Sequence, residues 1–132
     1  MYNVHVQLSQ IDKKQRDTGL MLRLIEAQTE GLAGIDLVLL QFFPRIPGIY
    51  AFRPKYKVPT KETWKDLGAV IHDKNGDCKD LVAWRLAELW KQGVMAKAEA
   101  ILERQSNRLQ FHVFIRLPNG TVEDPARELG MP

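Results

Sequence analysis

Tyr2, Val4, Val6 and Leu8 alternate with Asn3, His5, Gln7 and Ser9, the period of a half-buried strand, and this sets His5 on the polar side. From about Lys13 the period changes. Leu20, Leu22, Leu24, Ile25 and Ala27 predict a helix to Gln28, Gly31-Leu32-Ala33-Gly34 predicts a break, and Ile35, Leu37, Val38, Leu39, Leu40, Phe42 and Phe43 predict a second helix ended by Pro44. That second run is too apolar for exposure and is expected to lie under a neighbouring helix. Pro44, Pro47, Pro54 and Pro59 then exclude a continuous helix or a central strand, so residues 44–59 read as a wrapping loop. Thr60 is the expected cap of a short helix through Trp64 and Leu67.

The best-patterned helix follows. Gly76 admits backbone conformations that other residues avoid, Asp77 is a good N-cap, and Asp80 is placed three residues on, where an acid returns toward the cap. Leu81, Val82, Trp84, Leu86, Leu89 and Trp90 continue at helical spacing to about residue 92, with one face buried and Gly93 as the stop. Val94, Ala96, Ala98, Ala100 and Leu102 then alternate with Met95, Lys97, Glu99, Ile101 and Glu103, predicting a strand against alanine's preference for helix. After a polar turn at 105–108, residues 109–117 set Phe111, Val113 and Ile115 against His112, Phe114 and Arg116. Bulk on both faces predicts a central strand.

The hairpin that follows decides which residues share a face. A two-residue turn at Asn119-Gly120 would turn Asp124 away from His112. A three-residue Pro118-Asn119-Gly120 loop, with Gly120 left-handed, pairs Leu117 with Thr121 and Phe114 with Asp124, bringing Asp124 within side-chain reach of His112. Proline before Asn-Gly favours the second, because it presets the first turn residue. The pattern as a whole predicts an α+β fold, helices packed on an antiparallel β-sheet. It is read as one domain over 1–132, with a strand, helices and loop in 1–59 and the candidate chemistry in 60–132.

Composition narrows the setting. A chain of 132 residues with 45% hydrophobic content suffices for one core. Its single cysteine leaves no internal disulfide and no multi-cysteine zinc site. The opening residues lack a basic stretch followed by an apolar run, and no apolar run is long enough to span a bilayer, so a cytoplasmic protein without membrane insertion is expected. Nineteen Lys+Arg against 16 Asp+Glu give a net charge of +3, too small to imply nucleic acid. Tyr50, Phe52 and Tyr56 interleave with Arg53, Lys55 and Lys57, with Lys61 and Lys65 beyond. Rings packed on the core with solvated lysines are the expected outcome, and these five cations are too small a footprint to predict nucleic-acid binding.

One cysteine, one histidine within a strand and one aspartate at the next strand are the three groups of thiol acyl transfer. Sulfur attacks a carbonyl, imidazole takes and returns the proton, and the carboxylate fixes the ring and stabilises the imidazolium. Cys78 at the first turn of its helix faces unpaired N–H groups and the positive dipole end, which favour thiolate. His72, in the loop before the cysteine, is a rival base, but His112 has an acid on the neighbouring strand. Singly, each has a plainer reading: an inert thiol, a structural histidine, a turn acid. No oxygen-rich or mixed cluster predicts a metal site.

Gly76-Asp77-Cys78 with Leu81, Trp84, Arg85, Ala87, Glu88 and Leu89, then His112, then Glu123-Asp124-Pro125 resemble the transglutaminase-like branch of the papain-like cysteine enzymes. The likeness covers residues 76 to 125. Residues 76–81, the Trp84-Arg85 pair and the closing Leu129-Gly130-Met131 are most similar to compact members carried by tailed bacteriophages and prophages. The resemblance implies a transglutaminase-like core and a Cys78-His112-Asp124 triad without cofactor. It implies hydrolysis or transfer at a peptide, protein or peptidoglycan-type amide, in the host cytoplasm or a virion. The same family includes non-catalytic modules, for which phage structural proteins would be partners through the Tyr50 to Lys65 surface. Beside the Cys78 amide, Trp64 and Asn75 are the candidate oxyanion donors, with plainer roles as core anchor and turn former.

Overall fold

The computed structural model describes residues 15–61, 63–105 and 107–132, so the strand expected at the start of the chain, with His5, lies outside the described residues. The described elements are α1 (Gln15–Phe42), α2 (Ile49–Phe52), β1 (Lys55–Tyr56), α3 (Leu67–Asp73), β2 (Asn75–Gly76), α4 (Cys78–Lys91), β3 (Lys97–Gln105), β4 (Arg108–Arg116), β5 (Val122–Glu123) and α5 (Pro125–Glu128). β3, β4 and β5 form an antiparallel sheet with β4 central, while β1 and β2 make a separate parallel pair. α1 packs on β3 and α4 on β4, giving an α+β architecture. Among the described residues no helix is long and apolar enough to cross a membrane.

α1 is one helix where two were expected. Met21, Ile25, Thr29, Leu32, Ala33, Asp36 and Leu40 form a continuous buried stripe that runs through Gly31 and Gly34. Each glycine costs a helix roughly 1 kcal/mol, whereas each fully buried leucine or isoleucine contributes about 1.5–3 kcal/mol, so the stripe prevails. The apolar run after Gly34 is also less buried than expected. Leu40 is buried and Leu37 and Leu39 half-buried, but Ile35, Val38, Phe42 and Phe43 are exposed, because a straight helix presents one stripe to its neighbours and turns the rest outward.

α4 instead buries two faces, not the single one its spacing suggested. Val82, Ala83, Leu86 and Leu89 join α1 and the Ala96, Ala98, Ala100, Val113 and Ile115 side of the sheet in one cluster. Leu81, Trp84 and Ala87 meet Ile49, Leu67, Val70, Ala126, Leu129 and Met131 in a second. Cys78, at the head of this central helix, touches both clusters.

The short elements are set by their caps. Asp66, not Thr60, starts the helix before the cysteine: its Oδ1 accepts the Ala69 N–H at 2.9 Å, and α3 ends at a left-handed Lys74. The hairpin has the three-residue loop: Leu117 N–H donates to Thr121 at 2.9 Å, Ile115 pairs with Glu123, and Gly120 has φ +89°. Pro125 stops β5 and also opens α5 as its first residue, a position where proline's missing N–H costs nothing.

Candidate active site

The head of α4 is fixed by a reciprocal capping box. Asp77 accepts the Asp80 N–H at 3.2 Å and Asp80 accepts the Asp77 N–H at 3.1 Å. Asp80 also accepts the Lys65 N–H at 2.9 Å, tying the preceding loop to the helix. Gly76 serves here through its size and not through its φ, which is not left-handed. A Cβ there would lie 3.1 Å from the Asp80 Cβ and 3.3 Å from Val70 Cγ2, so a side chain would push the cap apart. Lys79 is buried, pairs with Asp77 and lies 5.0 Å from the Trp64 ring centroid.

His112 is fully buried on β4, and its Nε2 meets Asp124 Oδ2 at 2.7 Å, as the three-residue loop requires. Asp124 is held from the other side by Arg127: the backbone N–H donates to Oδ1 at 3.3 Å and Nη1 to Oδ2 at 3.1 Å. Burial alone would raise the Asp124 carboxyl. The His112 hydrogen bond and charge, then the Arg127 N–H and guanidinium, outweigh it and hold the group below the usual carboxylate value. The remaining ring nitrogen, His112 Nδ1, has no hydrogen-bond partner among the described residues.

Cys78 is half-buried and free. The Val113 N–H hydrogen-bonds its sulfur from the stretch of β4 beyond the end of β5, one residue from His112. No hydrogen bond joins Cys78 directly to His112. The thiol is not the acid-shifted group expected from the helix terminus: burial first, then the Asp77 carboxylate, push it up to about 12, and the Val113 N–H and Lys79 do not offset them. Iodoacetamide labelling of the ligand-free protein is therefore expected to be slow from pH 6 to 8 and to climb only in alkali. A rate already at its plateau near pH 6 would show that a thiolate is held at rest.

The other sequence candidates divide. Trp64 packs on the same cluster as Cys78. Asn75 is committed elsewhere, its Nδ2 donating to the Asp73 carbonyl at 3.0 Å and its Oδ1 accepting from Lys65 at 2.9 Å. His72 is exposed and bonded to Asp73. Two residues were missed. Arg127 was signalled by Asp-Pro-x-Arg, an N-cap followed by a first-turn proline. Tyr56, whose ring is expected on the core, lies in register with Gly76 beside the cysteine turn, and burial, then the charges of Cys78 and Asp77, push its hydroxyl up to about 12.

Among the described residues no three His, Cys, Asp or Glu side chains are grouped to hold a metal ion. The fold is α+β, with an acid-held imidazole on β4 one residue from the backbone N–H that bonds the helix-terminal thiol. No protein-family model, curated protein or solved structure matches the chain.

Proposed function

We propose that the protein is a cysteine-dependent acyl-transfer enzyme with a transglutaminase-like core, acting on an amide or isopeptide through Cys78, His112 and Asp124. The observation that carries this reading is the His112 ring: wholly buried, bonded to Asp124 through Nε2, and with Nδ1 unpartnered among the described residues. Nε2–H donating to the carboxylate leaves the Nδ1 lone pair as a base. With a thiol raised by burial, the proton leaves as the sulfur attacks and is not lost beforehand.

Nδ1 takes the Cys78 proton while sulfur bonds to the carbonyl carbon, and the carbonyl oxygen becomes an oxyanion. The first-turn N–H of Cys78 is a helix-terminal donor suited to that charge, with the Trp64 indole as the side-chain candidate. Collapse breaks the carbon–nitrogen bond, and the imidazolium gives its proton to the departing amine. Water, or a second amine, then attacks the thioester as its proton goes to Nδ1; the carbon–sulfur bond breaks, and the departing sulfur takes that proton, restoring the thiol.

A peptidyl p-nitrophenyl ester tests the reading. The expected product is a hydroxylamine-sensitive thioester on Cys78, seen by intact mass, forming at least about 100-fold faster than on N-acetylcysteine at the same pH. A rate no faster than the free thiol would sink it. One observation favours a non-catalytic assembly module instead: the raised thiol of Cys78. That alternative predicts the slower outcome.

A further inference from the structure

Beside the site, the β1–β2 ribbon borders a cleft of about 620 Å³ lined by Arg53, Lys55, Lys57 and Lys74, with Tyr56 and Asn75. Two segments of the chain contribute its cations: Arg53, at the end of α2, leads directly into Lys55 and Lys57 on either side of Tyr56, and Lys74 ends α3. Asp73, the acid at its edge, is already bound by Lys65 at 2.9 Å and by His72. Arg53 reaches the Glu128 carbonyl, and among the described residues Lys55, Lys57 and Lys74 have no carboxylate partner. Four like charges drawn together repel one another, a cost that a bound anion would remove.

Backbone geometry points the same way. Arg53 and Lys74 have φ of +55° and +64°, and among the described residues they are the non-glycine positions in the left-handed region. Glycine or asparagine is the ordinary choice for such a helix end, and two long cations stand here instead. Tyr56 joins the cleft to the chemistry. It lines the cleft, packs on the cluster that Cys78 touches, and lies in register with Gly76, two residues before the sulfur.

We propose that this cleft binds the acidic portion of the acyl substrate, a peptide segment bearing two or more carboxylates near the amide that is attacked. Its volume suits a short peptide or a small ligand. A nucleic-acid strand is disfavoured because the rings that line the cleft are partly engaged elsewhere: Phe52 tilts against Trp84 with ring centroids 5.8 Å apart, and Tyr56 packs part of its ring on the inner cluster. The proposal rests on the acyl-transfer reading only in calling the peptide a substrate; the binding itself does not require the triad.

Fluorescence anisotropy on the full chain carrying Cys78→Ala, which cannot turn over, tests binding alone. The probes are labelled hexaglutamate, hexalysine and an oligothymidylate. The competing variant combines Lys55→Gln, Lys57→Gln and Lys74→Asn. All three positions are exposed, and asparagine tolerates the left-handed backbone at 74. Hexaglutamate is expected to bind, to weaken with salt, and to lose at least about tenfold in affinity in the triple variant, while hexalysine does not bind. Absence of hexaglutamate binding, or affinity unchanged in the variant, overturns the proposal. So does oligothymidylate binding more tightly than hexaglutamate and losing that binding in the variant. Thioester formation on Cys78 reports separately on the triad, so either reading can fail while the other stands.

Discussion

Replacing His112 with alanine is expected to slow acylation of Cys78 by roughly 10²–10⁴-fold, the usual contribution of a positioned general base. His72→Ala is the control and is expected to change nothing, because that ring is 88% exposed and bonded to Asp73. His112 is fully buried, so alanine also leaves a cavity and an unpaired Asp124. Asp124→Asn separates chemistry from folding. Asparagine caps a helix as well as aspartate does, so the Arg127 N–H keeps its acceptor and α5 its start. Its amide nitrogen then takes the place of Oδ2 and donates to Nε2, which moves the ring proton to Nδ1 and removes both the base and the charge that stabilises the imidazolium. A loss of rate of similar size, with a smaller fall in melting temperature than His112→Ala, is the expected result. Equal acylation rates in wild type, His112→Ala and Asp124→Asn would remove both residues from the chemistry.

A comparably large effect is expected in stability from Asp36→Asn. Asp36 is fully buried on α1; its Oδ1 accepts the Leu67 N–H at 2.8 Å, while Oδ2 has no partner among the described residues. Burial pushes the carboxyl up to about 8; the Leu67 N–H acts against this, and Asp66 adds to it. The folded value lies above the ordinary aspartate value of about 3.9, so the folded state binds the extra proton. Its stabilising contribution is full below about pH 4 and is lost as pH rises to about 8. Asparagine keeps the acceptor for Leu67 and removes the titration. The variant is expected to gain stability at pH 9, by up to about 5 kcal/mol, and little at pH 4. Urea melts across that range measure it; parallel pH profiles for the two proteins would show that Asp36 does not titrate in this window.

The sequence made the local devices of the site readable. Asp77 and Asp80 were visible as a capping box because three-residue spacing alone brings cap and acid together. Pro118-Asn119-Gly120 was readable for the same reason: a left-handed glycine after a proline-set turn determines the register, and the register determines that Asp124 faces His112. Ala98 and Ala100 were recoverable as a strand because their alternation matches a sheet with one face buried, although β3 begins only at Lys97 and leaves Val94 to Ala96 before it.

Long-range contacts made the remaining choices. Gly31 and Gly34 signalled a break locally, but the surface offered by α4 and β3 kept α1 whole. Asp36 went unnoticed inside an apolar run, since only the later packing of α3 against α1 gives its carboxylate the Leu67 N–H and takes it from water. The helix terminus favoured a thiolate at Cys78, yet the meeting of two core clusters around the sulfur reversed the shift, because burial and the Asp77 charge outweigh dipole and N–H donors. Lys74 and Arg53 are 21 residues apart in the chain and share a cleft only because β1 pairs with β2. Turns, caps and register depend on neighbours within a few residues and can be read from the sequence itself. Helix continuity, carboxyl and thiol ionisation, and the gathering of cations depend on what distant segments exclude from water, and tertiary structure decided those.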